Sequence, residues 1–189
     1  MHTLLMGDTY PTSPNTHTSV FANWAPRLFN FYVIYITLLY ARYTHLCCSF
    51  KNSIFSACTF NLGPHTCALG YHDFANLAFG WCTITALGDF DYKKGSCLFP
   101  LGCTILIPSA AIYHSNIPIN DKEHRYSFTQ YTAGGLFRWV EQDFKMEEEY
   151  FVPLSAEQEK EKEEKELKLA RAEAGAGLYS TIDKLKAAN

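Results

Sequence analysis

The residues best suited to chemistry fall into three short groups: Tyr71-His72-Asp73 followed by Asn76, then Tyr113-His114-Ser115-Asn116, then Arg125, eleven positions beyond His114. Imidazole, carboxylate and guanidinium are the side chains that a non-haem Fe(II) centre handling a 2-oxo acid requires. In such a centre two imidazoles and one carboxylate hold the metal on one face and leave the other face open. A guanidinium on a neighbouring strand then pairs with the far carboxylate of the 2-oxo acid, for which its planar fork is suited. The spacing from His114 to Arg125 fits that arrangement. By itself the same spacing fits humbler roles. His114 reads equally as a strand-end histidine bonded to a nearby carbonyl, Asp73 as a turn cap before Asn76, and Arg125 as the ion-pair partner of Glu123 or Asp121. His65 and His124 read as exposed loop residues.

These groups need strands to carry them, and the texture from Ser53 to Ser127 supplies candidates. Short apolar runs are punctuated by Gly, Pro, Asn and Asp: Ile54–Phe60 before Asn61-Leu62-Gly63-Pro64, Trp81–Leu87 before Gly88-Asp89, and Thr104–Ile107 before Pro108. Tyr126–Thr132 is a further candidate, stopped by Gly134-Gly135. Strands of this length with turns between them predict a barrel or jelly roll. Upstream, Leu28, Phe31, Tyr32, Tyr35, Leu38 and Leu39 recur at helical spacing, and Pro26 suits a first-turn position, so a helix is expected from there to about Tyr43. Phe137 to Phe144 suits another helix or a closing segment. After Pro153 the composition shifts. Ser155-Ala156-Glu157-Gln158 has the form of a capping box, and Glu161–Lys165 and Glu164–Lys168 are i,i+4 pairs in a helix-forming run to Ala174. Gly175 and Gly177 are expected to end that helix, and Ser180 to Asp183 to cap a last short one. Its thin apolar stripe suits a solvated helix or one that binds a protein partner.

The chain has 189 residues, enough for one domain with appendages. It is 48% hydrophobic and 15% aromatic, which allows a substantial core and leans towards strands. A net charge of −3 and the absence of a Lys/Arg run do not point to a nucleic-acid binder. The seven cysteines (Cys47, Cys48, Cys58, Cys67, Cys82, Cys97 and Cys103) are odd in number and include no CxxC pair. They read as reduced thiols of an intracellular protein, nuclear or cytoplasmic. Residues 1–15 lack the charged and apolar regions of a signal peptide. The most apolar stretch, Leu28 to Tyr40, is shorter than the roughly 20 residues of a membrane span, so no membrane association is expected.

Two long stretches carry a resemblance. One runs from Cys58-Thr59-Phe60-Asn61-Leu62-Gly63-Pro64 through Asn76-Leu77-Ala78-Phe79-Gly80-Trp81 to Gly88-Asp89-Phe90. The other runs from Phe99-Pro100-Leu101-Gly102-Cys103-Thr104 through Pro108-Ser109-Ala110 to Gly134-Gly135-Leu136-Phe137-Arg138-Trp139-Val140. Together with the Trp24-Ala25-Pro26 helix, they resemble a large family of basidiomycete fungal proteins. Those proteins are 2-oxoglutarate/Fe(II) dioxygenase-like, related to the TET/JBP nucleic-acid-modifying oxygenases, and many look associated with mobile elements. The resemblance implies a double-stranded β-helix core, Fe(II) and 2-oxoglutarate as cofactors, Asp73 and His114 as iron ligands, and Arg125 as the 2-oxoglutarate anchor. It implies oxidation of a C–H bond, a nucleobase methyl group being the suggested substrate, with 2-oxoglutarate converted to succinate. Nucleic acid enters as a partner through the resemblance alone.

Two departures modify those expectations. The family's H-x-D motif places a His two residues before the Asp, and Tyr71 stands at that position. His72 is one residue off. Neighbouring strand side chains point to opposite faces, so His72 replaces the ligand only through a bulge or register change. Between Lys94-Gly95 and Phe99-Pro100, where the family has a further strand pair with a Gly-Gly and a Trp-Asp-Leu stretch, this chain has only Ser96-Cys97-Leu98. Real divergence, a decaying gene copy and a misplaced splice junction leave the same gap. The expected fold is therefore α+β. Residues 1–19 are a loose tail, residues 20–152 an N-terminal helix and a shortened, jelly-roll-like β core, and residues 153–189 a charged helical extension. The expected function is a dioxygenase-like domain, impaired or inactive. The alternative is a non-catalytic β-domain remnant or interaction module.

Overall fold

A computed structural model describes residues 14–46, 48–65, 67–94, 99–151 and 157–187. The short segment around Ser96, the Ser155-Ala156 half of the capping box and residues 1–13 of the expected tail lie outside the described residues. Helix α1 spans Pro14–Trp24 and α2 spans Pro26–Arg42. The expectation of a loose tail to residue 19 is thus corrected from Pro14 onward. His17, Phe21 and Ala25 recur every fourth position and are all buried, which gives this segment an inward face and a reason to be helical. Pro26 ends α1 and starts α2: Ala25 before it is non-helical (φ −141°, ψ 62°), and the missing N–H falls where no intrahelical acceptor waits. Helix α2 buries Leu28, Tyr32, Ile36 and Leu39. Leu38, expected in the buried stripe, is exposed, and Ile36 takes its place.

Four strands follow: β1 Ala57–Asn61, β2 Cys82–Asp89, β3 Thr104–Ile107 and β4 His124–Tyr131. Each lies within a few residues of an expected apolar run. They form one antiparallel sheet in the order β1-β4-β2-β3. The class is α+β, with six α-helices among the described residues. The sheet is open at β1 and β3, and among the described residues it is faced by bridged loops and not by a second multistranded sheet. Single bridges join loop to loop at Tyr71↔His114 and Asn76↔Ala133, and loop to β4 at His65↔Arg125.

The period-two alternation of β2 sorts the two sheet faces. Thr83 and Thr85 point towards the helices, whereas Ile84 and Ala86 line a cavity on the other side. The helical side holds a core of Phe21, Ala25, Leu28, Tyr32, Ile54, Phe55, Leu77 and Phe137. It is largely aromatic: Phe21 meets Tyr32 edge-on with ring centroids 5.2 Å apart, and Phe31 stacks on Phe137 at 5.3 Å. The buried Tyr32 hydroxyl donates to the carbonyl of Trp81 at 3.2 Å, which ties α2 to the start of β2.

Helix α3 covers Gly134–Glu141, α4 covers Glu147–Tyr150, α5 covers Glu157–Ala176 and α6 covers Ile182–Ala187. Helix α5 is mostly exposed, as expected of a solvated helix, but its last turns and the residues just beyond them dock at a few points. Arg171 pairs with Glu141 of α3, the Tyr179 hydroxyl donates to the Phe79 carbonyl at 2.8 Å, and Leu178 packs on the core. Gly175, expected to end the helix, is inside it and buried. A Cβ there would lie 2.2 Å from the Phe79 ring, so the glycine is what lets the helix dock.

His17 joins α1 to the sheet through hydroxyls. Its Nδ1 lies 3.2 Å from Thr83 Oγ1, and its Nε2 lies 3.0 Å from both Thr85 Oγ1 and Thr104 Oγ1. The ring is fully buried, and burial without a counter-charge pushes its pKa from 6.5 down to about 4. The folded state therefore favours the neutral ring. The associated stability is fully present above pH 6.5 and drains away as pH falls towards 4. By linkage the loss reaches about 3 kcal/mol. Urea unfolding between neutral pH and pH 4 should show this component in the wild type and not in His17→Gln, so the two stabilities converge as pH falls. Parallel pH curves would rule it out.

Candidate functional site

Two segments facing the open side of the sheet form a short antiparallel ladder. Tyr71 and His114 exchange both amide hydrogen bonds, each 3.1 Å, and Asn116 N donates to Ala68 O at 3.2 Å. The Asn116 side chain accepts from Ala68 N at 2.6 Å, and Asp73 N donates to Ser109 O at 3.0 Å. Gly70 permits the close approach: a Cβ there would sit 2.1 Å from the Tyr113 hydroxyl. These bonds fix the register, and register fixes the faces. Tyr71, Asp73 and His114 share one side. His72 takes the other, its ring 5.1 Å from Phe74 and 5.5 Å from Tyr113.

The structure therefore brings Asp73 and His114 together and turns His72 away from them. His72 Nδ1 is enclosed without a hydrogen-bond partner and contributes nothing to the pair. His114 Nδ1 lies 3.0 Å from the carbonyl of Ile112, the nearby-carbonyl arrangement. A carbonyl only accepts, so Nδ1 carries a hydrogen and Nε2 is the nitrogen left facing Asp73. That nitrogen is buried, has no hydrogen-bond partner, and lies 3.7 Å from Asp73 Oδ2. A histidine that donates one ring nitrogen to a carbonyl and aims the other at a carboxylate is arranged as metal-binding histidines are. The complement is incomplete for Fe(II), however. Among the described residues no three His, Cys, Asp or Glu side chains converge to hold a metal. A centre of two imidazoles and one carboxylate does not fit here, because the ring beside His114 is that of Tyr71, 4.5 Å away, and His72 faces the other side. Burial, followed by the Asp73 charge, holds the Tyr71 phenol above its ordinary pKa.

Arg125 lies on β4 opposite Gly88 and is only 8% exposed. Its Nη2 donates to the Ile117 carbonyl at 2.6 Å, and the guanidinium lies 5.5 Å over the Phe90 ring. The Glu123 carboxylate, the sequence-based candidate for its partner, accepts from Asn120 N at 2.7 Å, Asp91 N at 3.0 Å and Lys94 Nζ at 3.2 Å. Burial lowers the Arg125 pKa, with the Cys67 thiol and Glu123 acting in the opposite direction. Arg125, His114 and Tyr71 all line one cavity of about 310 Å³. Ile84, Ile105, Ile107, Phe90 and Phe99 supply its apolar walls, and Asn61, Ser127 and Thr129 its polar sheet surface. A larger hollow of about 500 Å³ lies between α3 and α5. Its charges are matched in sign, Arg138, Lys168 and Arg171 against Glu141, Glu147 and Glu164, and no histidine lines it.

Sequence reasoning did not single out His17 or Cys82. A Thr-x-Thr step inside the otherwise apolar β2 run was the signal that something polar is buried on that face. Cys82, at the start of β2, is buried near Ser109, and burial pushes its thiol up to about 12. His65 and His124 are both exposed as expected, but His124 starts β4 and is not a loop residue. No protein-family model matches the chain, and no curated protein matches it. No helix among the described residues is long and apolar enough to cross a membrane. The thiols offer a direct check on the site's wall. In the folded protein at neutral pH, iodoacetamide should label exposed Cys67 and leave Cys82 unmodified by mass spectrometry. Equal labelling would contradict the burial of β2 against the Asp73–Ser109 segment.

Proposed function

We propose that this chain is a dioxygenase-like domain in which the co-substrate pocket persists without the Fe(II) centre: a non-catalytic module that binds a small carboxylate of the 2-oxoglutarate class through Arg125. The observation that carries the reading is that Arg125, nearly fully buried, lines the same cavity as His114 and Tyr71 while His72 faces away. In this reading the four-stranded sheet, with helices on one face and the cavity on the other, is the larger sheet of a shortened double-stranded β-helix. The Tyr71↔His114 ladder is what remains opposite it.

The chemistry of the cavity favours such a ligand. A guanidinium in an apolar setting forms charge-assisted, two-pronged bonds to a carboxylate that are stronger than neutral ones. The carboxylate in turn offsets the desolvation that lowers the Arg125 pKa. Ile84, Ile105 and Phe90 suit the methylene chain of a short dicarboxylate. A net charge of −3 gives nucleic-acid phosphates little to bind, and nucleic acid is left out of this reading.

Calorimetric titration of the purified chain with 2-oxoglutarate, first without metal, tests the proposal. Binding should be measurable and should weaken at least tenfold in Arg125→Leu, about 1.4 kcal/mol. Adding Fe(II), ascorbate and O2 should release no succinate. Succinate release that depends on Fe(II) would restore the enzyme reading. Absence of binding by a folded protein would remove the proposed ligand class.

A further inference from the structure

We infer that the hollow between α3 and α5 is a second ligand site, one that takes a small zwitterion with an apolar body: an α-amino acid or dipeptide with one ammonium, one carboxylate and a large apolar side chain. The first ground is size and setting. The hollow measures about 500 Å³ and shares no lining residue with the cavity that holds Arg125. That volume falls inside the roughly 300–1,000 Å³ range of small-ligand cavities. Leu77, Phe79, Phe137 and Leu167 give it apolar walls. The second ground is an open polar group. Gln142 is 7% exposed and lines the hollow, and its side-chain amide makes no hydrogen bond with another described residue. A buried amide without a partner carries a free-energy cost that a polar ligand relieves, because the amide both donates and accepts.

The charges of the lining select the ligand. Three are basic and three acidic, so the lining is neutral as a whole and favours neither a plain anion nor a plain cation. Four of the six are already matched: Arg171 pairs with Glu141, and Lys168 Nζ lies 3.9 Å from Glu164 Oε2. Arg138 and Glu147 are exposed, and neither side chain has an ion-pair or hydrogen-bond partner among the described residues. One charge of each sign is thus left for a ligand that brings one of each. The Gln142 amide N–H donates to the Arg138 carbonyl, one turn back, at 2.9 Å, so the two side chains are neighbours along one face. A guanidinium beside a free amide suits a carboxylate, and Glu147 on α4 suits the ammonium. The apolar side chain then lies against Phe79, Phe137 and Leu167. The inference uses neither Arg125 nor His114 and does not depend on the proposed function.

Calorimetric titration of the purified full chain with L-phenylalanine, and in a second arm with the dipeptide phenylalanyl-leucine, tests it. At least one of the two should bind saturably, and the tighter one identifies the source of the zwitterion. It should bind at least tenfold more tightly than 2-phenylethylamine, which lacks the carboxylate, and 3-phenylpropanoate, which lacks the ammonium. Arg138→Gln should weaken the zwitterion and 3-phenylpropanoate and leave 2-phenylethylamine unchanged. Glu147→Gln should weaken the zwitterion and 2-phenylethylamine and leave 3-phenylpropanoate unchanged. Both positions are exposed, so both variants should keep the wild-type urea-unfolding midpoint. Arg125→Leu should leave this binding intact, so failure of the carboxylate reading is separable. Absence of saturable binding by a folded chain overturns the inference. So does a single-charge analogue that binds as tightly as the zwitterion, or zwitterion binding that survives unchanged in either variant.

Discussion

Two amide hydrogen bonds between Tyr71 and His114 decide which side chains of this protein can act together. Once that pair is in register, strand alternation leaves no choice. Tyr71, Asp73 and His114 fall on one side, and His72 falls among Phe74 and Tyr113 on the other. A one-residue slip would exchange the faces and bring His72 towards Asp73's neighbours in place of Tyr71. Asn116 on Ala68 and Ser109 on Asp73 hold the ladder against that slip at both ends. Because the Asn116 side chain spends its oxygen on a backbone amide, register is enforced by side chain as well as by main chain.

The sheet gives the ladder something to stand over. Its helical face is packed with rings from α1, α2 and α3, and its other face is left for the cavity. Within the helical face, His17 and its three threonine hydroxyls form a polar inclusion beside the aromatic and aliphatic core. Such an inclusion is tolerated because neutral imidazole needs one donor and one acceptor, and rotating hydroxyls supply either. It also makes α1 specific to this site: an apolar residue at position 17 would leave Thr83, Thr85 and Thr104 with fewer partners in a buried setting. Arg125 is the corresponding exception on the cavity face, a charged group on a strand whose neighbours there are mostly apolar or hydroxylic.

At the other end of the chain, α5 is polar over its first turns and specific over its last. Gly175 against Phe79, Arg171 on Glu141 and Tyr179 on the Phe79 carbonyl together bring the C-terminal helix onto the segment between the ladder and β2. An exposed ion pair alone contributes little. Here the glycine contact and the hydroxyl–carbonyl bond set the docking, and the ion pair adds to it.

The sequence alone determined the four strands and α2. Short apolar runs broken by Gly, Pro and Asn placed all four strands near their observed positions, and helical spacing with Pro26 placed α2, because each of these signals is local. It also offered candidate chemistry: Asp73, His114 and Arg125 stood out by residue type and spacing, and Tyr71 marked the place where the resemblance expects a second histidine. What it missed depends on distance through space. The first half of helix α1, up to residue 19, was read as tail because His17 becomes meaningful only once Thr83 and Thr85 stand opposite it. Gly175 read as a helix end because nothing local reports the Phe79 ring 96 residues earlier in the chain. Only the tertiary structure decided that Tyr71 and not His72 faces Asp73, and that Arg125 opens into the cavity that His114 lines. The reason is physical: composition and period assign a side chain to a face, but which faces meet is set by register and burial, which belong to the whole chain.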